Sequence, residues 1–529
     1  MRLRRTPALG ALMALAATAA CGSRVPADRL QASLGRVAPA QSVSSVGADA
    51  PVAPTASDAG RPGPVRADTR TGVAGVAPDS VDRSAATIPR QQRVARFDHG
   101  APGAPAGSAL RASADEAGTA RPTGGNPGAG PTGVAAAPAD GAAATPVGGK
   151  SPVVLGSFGT ASGVIGAQVA AIPPATRAWV ADVNARGGLS GHPVRVVFGD
   201  DRGDPQQALS LVRRMVEQDG AVAFVATYTV TTMESVAPYL EARNVPIVGA
   251  TGGSEVEDDS PMIFNPTLGA DQGIAWSYLL TIAAQTDKRK LSVLYCREAA
   301  TCQNQVRRIK ELAPRLGGFS IVHEAQVSIV QPDYTAEVLA ARNAGAEVVV
   351  TVMDAQSMIR VIRSAQRQGW KPIFSATHNL NSASFRTGDA DLDGTLAAST
   401  TVAYTTSPRL GPYREAMQRY QPGAPLGGYG AGAWAQALLL ERLTPAWFRP
   451  QPTSRDVVEA LYGLRNETIG GLIVPITFNQ GPHRTVNLCI VPLRYSAGEF
   501  RPPGGGDGTF TCPPGYVAGD PAASRAAIN

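Results

Sequence analysis

Groups that break bonds are scarce in this sequence. Its 529 residues hold five histidines, His99, His192, His323, His378 and His483, far apart and without a His-Glu-x-x-His pattern. That excludes the helical zinc arrangement of a metalloprotease. No Cys-x-x-Cys pair is present, so a structural zinc site has no ligand set to build on. A Gly-x-Ser-x-Gly elbow is missing. Gly156-x-x-Gly159 lacks the remaining glycines of a dinucleotide loop. Lysine occurs only at positions 150, 288, 290, 310 and 371, and the net charge of +6 is small for this length. With no basic stripe interleaved with aromatics, a nucleic-acid partner is excluded. No nucleophile–base pair stands out, so neither an enzyme nor a cofactor is expected.

What is present begins with an export signal. Arg2, Arg4 and Arg5 precede an apolar run, Ala8 to Ala17, too short for a permanent span. Thr18-Ala19-Ala20-Cys21 then resembles a bacterial lipoprotein cleavage site. Residues 1–21 are therefore expected to be a lipoprotein signal peptide, with Cys21 as the lipid-bearing new N-terminus of an extracytoplasmic, membrane-anchored protein. The alternative is an ordinary secretory signal with Cys21 as a bystander. No other segment is apolar enough to be a transmembrane helix. Setting Cys21 aside leaves Cys296, Cys302, Cys489 and Cys512, an even number that suggests disulfides in an exported chain. Four cysteines allow three pairings; the expected one joins nearest neighbours, Cys296 with Cys302 and Cys489 with Cys512.

Residues 22–150 are rich in Ala, Pro, Gly, Ser and Thr, with Phe97 as the rare aromatic. Such a segment buries too little apolar surface to offset its ordering entropy, and reads as a disordered tether. From Ser151 onward, short apolar strands alternate with amphipathic helices up to Ile490. Examples are Val153–Leu155, Val194–Phe198 and Val222–Ala226 for strands, and 168–186, Pro205–Gln218 and Thr232–Arg243 for helices. Alternation of this kind means parallel sheets covered by helices. About 380 residues exceed one sheet core. The expected fold is α/β, two doubly wound lobes with a cleft between them, about five strands before Gly269 and four after it. Lobe 1 takes residues 151–270 and 402–481, lobe 2 takes 271–401 and 482–515, and 516–529 is a flexible tail.

Motifs in the right order sharpen this. A strand at Val153 leads to the loop Gly156 to Gly163, a long helix, a glycine turn from Asn184 to Gly191, and a strand ending in Asp200-Asp201 before Asp204-Pro205. Further along come Asn244-Val245-Pro246-Ile247-Val248-Gly249-Ala250-Thr251, the helix entry Tyr429 to Ala437, and Ile469-Gly470-Gly471. Over residues 151–495 the chain resembles the type I periplasmic binding proteins of the branched-chain amino acid (Leu/Ile/Val) branch. The resemblance implies a two-lobed clamp with three hinge crossovers, here near Gly269–Gln272, Ala398–Tyr404 and Gln480–Thr485. It also implies a monomer that passes a small polar ligand to an ABC transporter permease.

The same resemblance assigns site residues. By register, Thr229 in the Thr227–Thr232 loop supplies a hydroxyl to a ligand carboxylate; the alternative is that these hydroxyls cap the helix at Thr232. Ala250 offers its carbonyl to a ligand ammonium, with Thr251 or Ser254 as the hydroxyl. Phe158 and Thr160 close one wall. The second lobe departs from the pattern. Ala300 stands at the aromatic position, and His378 falls where a carboxylate is expected. Asp354 could supply the missing charge or could cap the helix that follows it. A ligand-sensing or envelope-assembly lipoprotein using the same clamp without transport is the competing reading.

Overall fold

The computed structural model describes residues 149–528, apart from residues 270, 379–384, 386–389 and 481–485. The signal peptide, Cys21, nearly all of the tether and most of the expected third crossover lie outside the described residues. No described helix is long and apolar enough to cross a membrane.

The first sheet is wholly parallel, in the order β2-β1-β3-β4-β5. Its strands are β1 (Val153–Gly159), β2 (Val194–Asp200), β3 (Ala223–Thr227), β4 (Ile247–Ala250) and β5 (Ile263–Phe264). Every residue of β3 and β4 is buried, as helices on both faces require. Helix α1 (Gly163–Val169) stops before α2 (Ile172–Ala185), where one continuous helix was expected. Pro173 and Pro174 explain the break: they fit a first turn but cannot donate to a preceding one. The turn after α2 is built by Asn184, whose side chain gives to the Val194 carbonyl and takes from the Val194 amide. Nearby, His192 is fully buried and its ring bridges the carbonyls of Ser151 and Arg449.

One face of this sheet carries α3 (Pro205–Glu217) and α4 (Met233–Arg243), packed through Val212, Met215, Met233 and Leu240. The other carries α2 with residues that return late in the chain. Trp179, Tyr413 and Trp434 belong to that second cluster. Tyr413 lies on α10 (Gly411–Tyr420) and Trp434 on α11 (Gly428–Arg442). The first lobe is thus completed by residues more than 140 positions beyond its last strand.

Between these two parts lie α5 (Glu255–Asp259), which follows β4, and then the second sheet. Its order is β12-β11-β10-β9-β8-β6-β7, comprising β6 (Lys290–Cys296), β7 (Ser320–Val327), β8 (Val348–Val352), β9 (Ile373–His378), β10 (Leu396–Ser399), β11 (Val491–Ser496) and β12 (Glu499–Arg501). The five strands from β7 to β10 are parallel and repeat the connectivity of the first sheet; β11 and β12 extend it antiparallel. Helices α6 (Asp271–Gln285), α7 (Ala300–Leu312), α8 (Thr335–Asn343) and α9 (Ala355–Arg367) belong to this lobe.

Passages between lobes run side by side. The Gly269 amide donates to the Asn487 carbonyl at 2.8 Å, joining the first crossover to the chain after the third. Val402 donates to Leu472 at 2.9 Å and Ala403 to Asp507 at 3.0 Å, fixing the second. Both disulfides form as the nearest-neighbour pairing expects, Cys296–Cys302 and Cys489–Cys512. Tyr516 is buried with its hydroxyl on the Val486 carbonyl, and Pro521–Ile528 is a helix whose Ala522 amide donates to the Asp520 carboxylate.

Candidate functional site

In each sheet the strand order reverses direction at one place, between β1 and β3 and between β6 and β8. Open α/β sheets bind ligands at the carboxyl ends of such strands. In the first lobe those ends are tied together by one carboxylate. Asp201 is fully buried and accepts from the hydroxyls of Thr160 and Thr232, each at 2.7 Å, and from the Gly203 amide at 2.8 Å. The loops after β1, β2 and β3 are therefore one unit. Asp200 accepts from the Ala161 and Arg202 amides. Burial works to raise its pKa, but the Arg202 and Ala161 amides, the Ser162 hydroxyl and the Arg202 charge outweigh it and hold it below the usual carboxylate range.

The β1 and β3 ends touch closely. A side-chain carbon on Gly159 would lie 2.1 Å from the Tyr228 carbonyl oxygen, so glycine is required. Ala226 has φ of 52°, in the left-handed region, and sits unpaired between the Val225–Val248 and Thr227–Ala250 pairs. A non-glycine residue there costs on the order of 1–3 kcal/mol, and the kink re-aims the loop that follows.

The expected site residues fall into three groups. Thr229 is fully buried, and its Oγ1 has no hydrogen-bond partner among the described residues. Thr232 stands at the start of α4 but its hydroxyl goes to Asp201, not to the helix amides. Ala250 gives its amide to Asn265 Oδ1, and the Thr251 amide reaches the Thr227 carbonyl, which leaves the Thr251 side chain half-buried at the loop surface. Other hydroxyls are engaged within their own lobe. Thr160 serves Asp201, and Ser254 both caps α5 and donates to Glu234 at 2.7 Å. Phe158 is not on a cleft wall. Its ring meets Phe224 edge-on at 5.4 Å inside the apolar cluster under α3 and α4, because alternation along β1 turns it to that face.

From the second lobe, Asp354 caps α9, accepting from the Gln356 and Ser357 amides at 2.9 and 3.1 Å, and from the Ser357 hydroxyl. It still stands at the carboxyl end of β8, where its charge reaches the other lobe. Tyr228 feels it: burial first, then Tyr429, Glu257 and Asp354, push that phenol well above its ordinary pKa. His378 ends β9, opposite Ala398 of β10, and its side chain lies outside the described part. Ala300 opens α7, leaving no aromatic at that loop.

Three residues of lobe 1 were not singled out by the sequence reading. Gln168 donates to the hydroxyls of Tyr429 at 3.1 Å and Tyr228 at 3.4 Å, and the two rings meet edge-on at 5.5 Å. Burial raises the Tyr429 pKa to about 12 against the opposing Gln168 and Tyr228 hydrogen bonds, so both phenols stay neutral. This aromatic pair belongs to lobe 1, and the loop after β6 holds no aromatic. Tyr228 was hidden among threonines, and Tyr429 lies in the noted helix entry. Contacts also cross between lobes. The Thr301 hydroxyl donates to the Gly253 carbonyl at 2.8 Å, Glu255 pairs with Arg307 and Arg308, and Val230 packs against both apolar cores. Among the described residues, no group of three or more His, Cys, Asp or Glu is placed to hold a metal.

Paired lobes, matching sheet order and facing carboxyl edges define a clamp of the binding-protein class. A sequence profile described as periplasmic binding protein matches residues 152–498, and the chain belongs to that family. A curated relative from Pseudomonas aeruginosa, named amino acid binding protein, is 27% identical over 172 residues, which are 32% of this chain and 45% of that protein's length. Among solved structures, a possible leucine/isoleucine/valine-binding protein from Rhodopirellula baltica superposes with a TM-score of 0.59 at 16% identity, covering 68% of this chain and 98% of the other. A branched-chain amino acid ABC transporter protein from Thermus thermophilus with bound valine gives 0.58 at 20% identity, covering 67% and 96%. A fatty acid ABC transporter substrate-binding protein from Thermomonospora curvata gives 0.57 at 17%, covering 72% and 95%.

Proposed function

We propose that this chain is an extracytoplasmic solute-binding lipoprotein. It captures a small polar molecule, amino acid-like or a related carboxylate or amide, between its lobes and delivers it to an ABC importer. Lobe closure on the ligand does the work, since a ligand that touches both lobes favours the closed form by its differential affinity. No bond is broken. Family membership supports the location and the class; the Pseudomonas and Thermus relatives support the amino-acid reading, and the Thermomonospora neighbour supports a plain carboxylate equally.

The observation that carries this reading is the Thr229 hydroxyl. It is buried at the switch point, and it alone of the loop's buried hydroxyls lacks a partner there. A buried polar group without a partner costs about 1–3 kcal/mol, which a ligand oxygen would recover. Thr229→Ala is expected to leave the unliganded protein as stable as before and to weaken binding of a carboxylated ligand about tenfold or more, as for a hydrogen bond to a charged group. Calorimetric titration with the best compound from a thermal-shift screen reads this. Unchanged affinity removes Thr229 from the site. Anchoring is tested separately: Cys21→Ser should move the protein from membrane to soluble fractions.

A further inference from the structure

The acidic run Glu255-Val256-Glu257-Asp258-Asp259 reads as a solvated helix face, yet Glu257 is 1% exposed. Neither of its carboxyl oxygens has a hydrogen-bond partner of normal geometry among the described residues. It lies on α5, which follows β4 at the carboxyl end of the first sheet. A side-chain carbon on Gly252 would fall 2.2 Å from the Thr229 carbonyl oxygen and 2.5 Å from Glu257 Oε1, so the missing side chain at 252 is what lets this carboxyl lie against the Thr229 loop. The next residue, Gly253, is the one docked on Thr301 of the other lobe. The polar orphans of the β3 and β4 loops are therefore neighbours, next to the interlobe contact.

The charges around Glu257 are of its own sign. Asp258 on its own helix and Glu234 on α4 act on it most strongly, while Tyr228 of the β3 loop feels both Glu257 and, from lobe 2, Asp354. Arg307 and Arg308 of α7 pair with Glu255 and Glu311. The Gly252 and Gly253 amides approach the carboxyl and partly offset its burial. A buried acid with acidic neighbours stays protonated until a cation arrives.

We propose, resting on the clamp reading above, that Glu257 is the counter-ion for a protonated amine on the ligand, and that the natural ligand therefore carries one. On binding, the carboxylic acid gives its proton to solvent and the resulting carboxylate faces the ammonium. The second lobe, which has Ala300 and His378 where an aromatic and a carboxylate were expected, then need not supply that charge. Burial raises the Glu257 pKa well above the ordinary glutamate value. The unliganded fold consequently loses stability as pH rises from that ordinary value toward the raised one, since the unfolded chain ionises first.

The test is a thermal-shift panel of pairs: L-leucine, L-lysine and L-phenylalanine, each beside its deaminated carboxylic acid, on wild type and Glu257→Gln. At least one amine-bearing member should raise the wild-type melting temperature while its deaminated partner does not. Glu257→Gln should weaken that binding at least tenfold, yet melt above wild type when unliganded at alkaline pH. Equal shifts from both members of a pair overturn the counter-ion and leave the clamp standing. A Gln variant that melts lower at every pH and still binds the amine makes Glu257 a structural brace of the Gly252–Gly253 turn. No shift from any probe overturns this inference, while the solute-binding reading stands or falls separately on the Thr229→Ala titration. Wild-type calorimetry in two buffers of different ionisation enthalpy needs no variant: between the ordinary glutamate value and the raised one, amine binding should release a proton, and no release at any pH tested overturns the proposal.

Discussion

Thr301 Oγ1 lies 2.8 Å from the Gly253 carbonyl oxygen, and the two residues belong to different lobes. The bond is buried, and the Cys296–Cys302 disulfide fixes the loop that presents it. A neutral hydrogen bond is worth about 0.5–1.5 kcal/mol net, a two- to twelvefold bias toward closure. Thr301→Ala should enlarge the unliganded protein's radius of gyration in small-angle scattering and lower ligand affinity by that factor. Removing the exposed Glu255 partner should do less, because surface ion pairs contribute about 0–1 kcal/mol. The opposite ranking would place the latch in the ion pair.

The Asp201 carboxylate joins three loops of lobe 1, through Thr160, Thr232 and Gly203. Its removal leaves two buried hydroxyls and a part-buried amide without that acceptor. Asp201→Ala should cost about 3 kcal/mol or more in denaturant unfolding and abolish ligand binding. Thr160→Val keeps most of the network, so it should cost about 1 kcal/mol and retain binding. A silent Asp201→Ala would mean the loops are held by packing alone.

Much of this architecture was legible in the chain. Nine of the strands coincide with apolar runs visible by eye, and Asp204-Pro205 starts α3 as its N-cap chemistry dictates. What escaped had weak local signals. Leu396–Ser399 is short and small-residued, and β11 holds Pro492 and Arg494, so neither reads as a strand without its neighbours. Thr453 caps the helix from Ser454 through a box with Asp456, a pairing that no apolar run announces. At the site, Thr229 could be placed by motif order. Glu257 could not, since only tertiary packing buries an acidic run, and the Thr301–Gly253 bond joins residues 48 apart.

The two disulfides should differ in worth. Cys489–Cys512 spans a sequence separation of 23, and Cys296–Cys302 one of 6. Loop-closure entropy then assigns about 3 kcal/mol to the longer and about 2 to the shorter. Cys489→Ser with Cys512→Ser should lower the melting temperature more than the corresponding pair at 296 and 302. The longer bridge also anchors the segment around Asp507, which accepts from Ser407 and Arg409 beside the second crossover. If the shorter bridge dominates stability, the entropic ranking fails and native-state packing at the β6 loop decides instead.

Acid sensitivity should trace in part to Asp333. Thr335, through its hydroxyl and its amide, lowers this carboxyl most, with Arg367 and Ser364 adding, down to about 2. The folded value lies below the unfolded one, so the contribution is present above the ordinary aspartate range and fades as pH falls toward about 2. Asp333→Asn should therefore melt below wild type at neutral pH. The two curves should converge on acidification, because protonated aspartic acid offers what asparagine offers. Melting temperatures across the acid range check this. A gap that persists at the acid end would show that the shape of the side chain, and not its charge, ties Thr335 to Arg367.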